Sequence, residues 1–120
     1  MAIISTRAHG VLDYLSGAAL IAAPFLLGFA NGGPAQWVPI IIGVLTILSS
    51  LATKYELGAV HLIPFRVHLV LDVLMGVVLL ASPLVFGFTD QIWWPHVLFG
   101  VIYILVPALT RKVEPDGVYS

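Results

Sequence analysis

The sequence predicts an all-α membrane protein: four transmembrane helices forming two tandem two-helix repeats in parallel orientation, related by a pseudo-twofold axis along the membrane normal. Three observations carry this expectation. The chain is 60 % apolar and 9 % charged, with a mean hydropathy of +1.07, whereas about 25 % of a soluble domain is charged. Four stretches approach the roughly 20 apolar residues that a helix needs to cross a hydrocarbon core. A polar signature is also written twice. Arg7-Ala8-His9-Gly10-Val11-Leu12-Asp13 returns as Arg66-Val67-His68-Leu69-Val70-Leu71-Asp72, and the match runs on through Gly17/Gly76, Ala22/Ala81, Pro24/Pro83, Gly28/Gly87 and Phe29/Phe88. After a short slip in a loop it resumes at Trp37/Trp94, Gly43/Gly100 and Thr53/Thr110. Self-similarity at this period fixes the architecture of the whole chain.

The spans are placed near Ala8–Phe29, Ala35–Thr53, Val67–Phe88 and Ile92–Thr110. Ser5 or Thr6 caps the first, and Pro64 suits the first turn of the third. Asn31-Gly32-Gly33-Pro34 is a tight turn between antiparallel helices. Pro24 and Pro83 lie late in their helices and cannot donate to the carbonyls of Leu20 and Leu79. In lipid those carbonyls need another partner, so each proline faces protein or a local adjustment, and Gly28 and Gly87 end the kinked segments. The whole chain, 1–120, is read as a single membrane domain: repeats at about 7–53 and 67–110, a loop at 54–66 and a tail at 111–120. The first span holds His9 and Asp13 and is matched by an internal copy, so it is not expected to be a cleaved signal peptide.

Charge sets the topology. Arg7, Lys54, Arg66, Arg111 and Lys112 all fall on one side, and the opposite loops, Ala30–Pro34 and Thr89–Gln91, hold Asp90 alone. The positive-inside rule puts both termini in the cytoplasm. Trp37, Trp93 and Trp94 form an outer aromatic belt, and Tyr55 and Phe65 are expected to supply the inner one. The net charge of -1 and the lack of a basic patch give no indication of a nucleic-acid partner. Zero cysteines exclude disulfides, thiolate metal sites and a cysteine nucleophile.

Ala23-Pro24-Phe25-Leu26-Leu27-Gly28-Phe29 and Ser82-Pro83-Leu84-Val85-Phe86-Gly87-Phe88 resemble the Ser-Pro-Trp motif of the SPW-repeat membrane proteins, which carry it in the first of two membrane helices per repeat. Leu84 replaces the tryptophan, and the first copy reads Ala-Pro-Phe. The resemblance covers about Arg7–Thr53 and Arg66–Thr110. It implies a small integral protein of a prokaryotic cytoplasmic (inner) membrane and carries no catalytic residue with it.

The remaining question is what the polar residues do. His9, Asp13 and Gly17 share one helix face by their spacing, as do His68, Asp72 and Gly76. The glycines let a neighbouring helix approach, so the two faces meet each other or each packs on its own partner helix. Arg7 and Arg66 point elsewhere: they pair reciprocally with Asp72 and Asp13 across the repeats, or they snorkel to the cytoplasmic headgroups. Each Asp is about two turns into its helix, roughly 12 Å at 1.5 Å per residue, at the membrane margin and not its midplane. The expected role is structural, a hydrogen-bonded Asp–His clasp between duplicated hairpins, worth about 0.6 and up to about 1.7 kcal/mol per polar contact.

A proton or ion pathway through Asp13 and Asp72 is the alternative. The spans offer it little else polar beyond Ser16, Thr46, Ser49, Ser50 and Tyr103. A haem held by His9 and His68 is a lesser alternative. No other ligand converges on that pair in the sequence, so no cofactor or metal is expected. His61 and His96 read as interfacial residues. Thr6, Tyr14 and Ser16 form no nucleophile set, and no phosphate loop or zinc-protease motif is present, so the chain is expected not to be an enzyme. Its expected partners are the lipid bilayer and a second copy or another membrane protein.

Overall fold

In the computed structural model, which describes residues 2–111, the chain forms four helices: α1 (Thr6–Leu26), α2 (Pro34–Leu51), α3 (Phe65–Val85) and α4 (Trp94–Leu109). The predicted C-terminal tail, Lys112 included, lies outside the described residues beyond Arg111. Each helix is built from Leu, Val, Ile and Ala and is apolar nearly all round, which in water would be untenable. Burial is inverted accordingly. Leu26 and Leu84 are 81 % and 80 % exposed, while His9, His68, Thr46 and Ser50 are completely enclosed. An apolar outside around a polar inside is what a lipid solvent selects.

Helices α1, α2 and α3, of 21, 18 and 21 residues, are long and apolar enough to cross a membrane. Helix α4 has 16 residues and is shorter than the predicted span. Trp93 ahead of it keeps a non-helical φ of -145°, and Thr110 after it turns extended, with ψ 143°.

The other boundaries follow from capping. Ser5 accepts a hydrogen bond from the Ala8 N–H at 3.1 Å and starts α1. Pro64 sits just before α3 and not in its first turn. The exits of α1 and α3 are matched. Gly28 and Gly87 adopt φ +78° and +72°, and the N–H groups of Phe29 and Phe88 donate back to the carbonyls of Pro24 and Pro83, both at 2.9 Å. A side chain in that left-handed region costs about 1–2 kcal/mol, so glycine ends both helices.

Within each repeat the helices form a tight antiparallel hairpin, α1 against α2 and α3 against α4. Glycine permits the closeness. A Cβ on Gly43 would lie 2.6 Å from the Gly17 carbonyl oxygen, and one on Gly100 would lie 2.9 Å from that of Gly76. The hairpins then meet along α2–α3 and α1–α4, over a central core of Leu20, Ile42, Met75, Leu79 and Tyr103.

Two short backbone bridges join them at one end. Ile63, ahead of α3, pairs with Thr53 after α2, and Ile4, ahead of α1, pairs with Thr110 after α4. Ile63 N–H donates to Ala52 O and Ile63 O accepts from Lys54 N–H, both at 2.8 Å; Ile4 N–H donates to Leu109 O and Ile4 O accepts from Arg111 N–H, both at 2.9 Å. The same joint is thus made twice, once within the chain's middle and once between the two ends of the described residues.

Candidate functional site

At the end of the bundle carrying those bridges, α1 and α3 turn their repeated polar residues towards each other. His9 and Asp13 lie one turn apart on α1, and His68 and Asp72 one turn apart on α3, so each pair shares a face. The partners are exchanged between repeats. His9 Nε2 is 2.8 Å from Asp72 Oδ2, and His68 Nε2 is 2.7 Å from Asp13 Oδ2. The contacts within each helix are longer, 3.1 Å for His9–Asp13 and 3.3 Å for His68–Asp72. All four residues are buried.

The outer nitrogens of the two rings are fixed in the same way. His9 Nδ1 is 3.0 Å from Thr110 Oγ1, and His68 Nδ1 is 2.8 Å from Thr53 Oγ1. Each threonine donates its own hydrogen to a carbonyl one turn back, Thr110 to Val106 at 2.5 Å and Thr53 to Ser49 at 2.6 Å. The threonine oxygens therefore accept, and each Nδ1 must carry a hydrogen. Every remaining proton question falls on Nε2 and the carboxylates. Two protons shared among those four groups leave the cluster neutral, the state that a low-dielectric site favours.

Asp13 takes a further bond from Ser50 Oγ at 3.2 Å. Asp72 Oδ1, by contrast, is buried and takes no hydrogen bond among the described residues.

Of the two alternatives for Arg7 and Arg66, the reciprocal pairing with Asp72 and Asp13 is not the one seen: the cross-repeat partners of the carboxylates are His9 and His68. Both arginines lie on the exposed side of their helices, at the first turn, while the carboxylates face the opposite helix. Two aromatic expectations are also corrected. Tyr55 and Phe65 are fully buried and form no interfacial belt. Phe65 stacks on His68 with ring centres 6.0 Å apart and meets His9 edge-on at 5.4 Å. Tyr55 lies over Phe65 and His68 at 5.5 and 5.7 Å. Burial pushes the Tyr55 phenol far above its ordinary range, so it remains a neutral hydroxyl.

His96 is not interfacial either. It is 1 % exposed, lies between Phe29 and Phe88 and donates from Nε2 to the Ala35 carbonyl at 2.8 Å. His61 is exposed in the loop, as expected.

Gly17 and Gly76 pack on their own partner helices, whereas the His–Asp parts of the same faces meet each other. Pro24 and Pro83 are buried inside their helices. The carbonyl of Leu79, which Pro83 cannot reach, accepts the Ser82 hydroxyl at 2.8 Å. That bond gives the Ser-Pro pair a physical reason: serine repairs what proline removes.

The comparison with known families now bears directly on this geometry. The family model of the SPW repeat domain matches residues 7–110. The chain belongs to the SPW repeat family. No curated protein and no solved structure shows a match to it. In this SPW repeat protein the third motif position lies on the outer surface, with Phe25 63 % and Leu84 80 % exposed. A position facing lipid accepts any large apolar side chain, so phenylalanine and leucine both serve there.

Proposed function

We propose that this SPW repeat protein is a non-enzymatic structural or interaction module of a prokaryotic inner membrane, with both termini in the cytoplasm. In this reading all four helices cross the bilayer, and the two repeats are clasped at the cytoplasmic side by His9–Asp72 and His68–Asp13. The observation that carries it is the exchange of partners: the shorter contact of each histidine is to the other repeat. Such a cluster sets register and orientation between hairpins that share a largely apolar core, alongside the His96–Ala35 and Tyr103–Thr46 contacts. Its partners are the bilayer and a second copy or another membrane protein.

A proton pathway through Asp13 and Asp72 is the second reading. It is favoured by a cavity of about 10 Å³, room for roughly one water, lined by both carboxylates, Ser16 and Tyr103. The Tyr103 hydroxyl is 2.6 Å from Thr46 Oγ1, which donates to the Ile42 carbonyl. Beyond that pair the core is Leu20, Ile42 and Leu79, which supports the clasp over the pathway. A haem between His9 and His68 is disfavoured by ring centres only 5.4 Å apart and edge-on.

Asp13→Asn and Asp72→Asn separate the readings. In a clasp these variants fold in liposomes with a modest loss of stability, and neither they nor the wild type carry flux. Proton or cation flux in the wild type that both substitutions abolish would overturn the clasp reading.

A further inference from the structure

The four groups that meet between α1 and α3 also make up the donor set of a metal centre. We propose that His9 Nε2, His68 Nε2 and one carboxylate oxygen each from Asp13 and Asp72 bind a divalent first-row transition ion, with Zn²⁺ the best fit. The expectation of no metal counted two histidines without converging ligands; the exchanged pairing adds both carboxylates. All four ligand atoms lie within 4.8 Å of one another. Bonds of about 2.0–2.2 Å to zinc require tetrahedral edges of about 3.3–3.6 Å. The Nε2 atoms of His9 and His68 lie 2.8 and 3.3 Å from Asp72 Oδ2, and respectively 3.1 Å from Asp13 Oδ1 and 2.7 Å from Asp13 Oδ2, so outward movement of the side chains, with Asp13 turned to present a single oxygen, opens the centre.

Two further observations point to a cation. The first is the tautomer. With each Nδ1 hydrogen directed at a threonine oxygen, the Nε2 atoms face the cluster able to present a lone pair, and the outer hydrogen bond holds each ring as such bonds hold metal-bound histidines. The second is Asp72 Oδ1, a buried carboxylate oxygen with no donor among the described residues. That omission is costly in an apolar site, and the charge of a cation beside this carboxylate offsets it.

Charge agrees, because two carboxylates and one divalent ion cancel. Two nitrogens, two oxygens and no sulfur favour Zn²⁺ over Cu⁺, and four ligands are too few for Ca²⁺ or Mg²⁺. With every position taken by protein the centre is closed, as structural zinc sites are. It uses the residues of the clasp but stands or falls separately from it.

The test takes the full chain, purified without a polyhistidine tag, stripped with a chelator, equilibrated with Zn²⁺ or Co²⁺ and desalted. The expected result is one ion per chain, with bound Co²⁺ giving the strong visible absorption of four-coordinate geometry. His9→Gln, His68→Gln and Asp72→Asn should lose both signals, and His61→Gln should keep them. Should the ligand variants fail to fold, Thr53→Val and Thr110→Val leave the ligands intact and should weaken binding about 10–100-fold. Wild type retaining no more metal than a variant lacking all four ligands, or a weak six-coordinate Co²⁺ spectrum, overturns the metal site. If such metal-free protein is still destabilised by His9→Gln, the clasp survives that failure. Metal bound by a protein whose metal-free form tolerates His9→Gln without loss supports the metal and overturns the clasp.

Discussion

Asp13 and Asp72 occupy equivalent places yet are not equally served. Each is bonded to the histidine of the other repeat, but Asp13 also accepts from Ser50, whereas Asp72 has one oxygen without a hydrogen bond among the described residues. The duplicated signature made the carboxylates and histidines legible, because ionisable groups inside an apolar run stand out at once. The exchange of partners was not legible, since a spacing of four residues defines a face and not the helix that face meets. Thr53 and Thr110 were marked by the repeat without a role; only the fold brings them to the histidine Nδ1 atoms. Replacing either by valine keeps the shape and removes the acceptor, leaving a buried N–H unpaired. We expect each change to cost about 1–3 kcal/mol, measured as a shift in the reversible unfolding of protein in mixed micelles. An unchanged midpoint for both would remove the threonines from the site. Ser82→Ala should cost about 1 kcal/mol by exposing the Leu79 carbonyl to an apolar surround; Ser49→Ala in the same assay gives the reference for an ordinary serine.

Elements repeat their logic as faithfully as residues do. The two hairpins each depend on one glycine facing another, so the glycines of α2 and α4 are as restrictive as those of α1 and α3. Gly43→Ala and Gly100→Ala push a methyl group into the facing backbone, where nothing can rotate away. Overpacking of this sort costs about 1–3 kcal/mol, and both variants should show lowered thermal midpoints, with chemical cross-links between α1 and α2 or α3 and α4 formed less efficiently. Full wild-type stability in both would mean the hairpins are looser than their glycines imply. The spans themselves could be read from hydropathy to within a few residues. The burial of Tyr55, Phe65 and His96 could not, because an aromatic residue at a span's end suits a lipid belt or a protein core equally well. For His96 it is decided by the enclosing rings of Phe29 and Phe88, and for Tyr55 and Phe65 by the loop after α2. The N–H groups of Ala59 and Val60 both donate to the Leu51 carbonyl at 2.8 Å, drawing the chain back over the bundle. That folding sets Tyr55 on the cluster and puts Leu57 against Gly10.

At the scale of the molecule, the pseudo-symmetry requires both loops between paired helices to lie on one side and the loop between repeats on the other. With the termini in the cytoplasm, as proposed, reporter fusions at Gly33 and Asp90 should read the outside of the membrane and one at Ala59 the inside; a reversed signal at any of them contradicts that topology. The repeat makes this arrangement legible in the sequence itself. The shortness of α4 was hidden, because both its ends are set by the fold: Trp93 stays non-helical ahead of it, and Thr110 leaves the helix to pair with Ile4, a contact between the two extremes of the described chain. That pairing implies that the order of the elements has no privileged starting point. Where Ile63 follows Thr53 through a loop, Ile4 lies beside Thr110 with no covalent link, though the geometry of the joint is the same. A circular permutant opened between Val60 and His61, both exposed, with a short linker from Arg111 to Ala2, should insert and fold with the cluster intact. Its helical content and unfolding midpoint should match the parent's. Failure to accumulate in the membrane would show that the order of synthesis matters to this bundle as well as its final contacts.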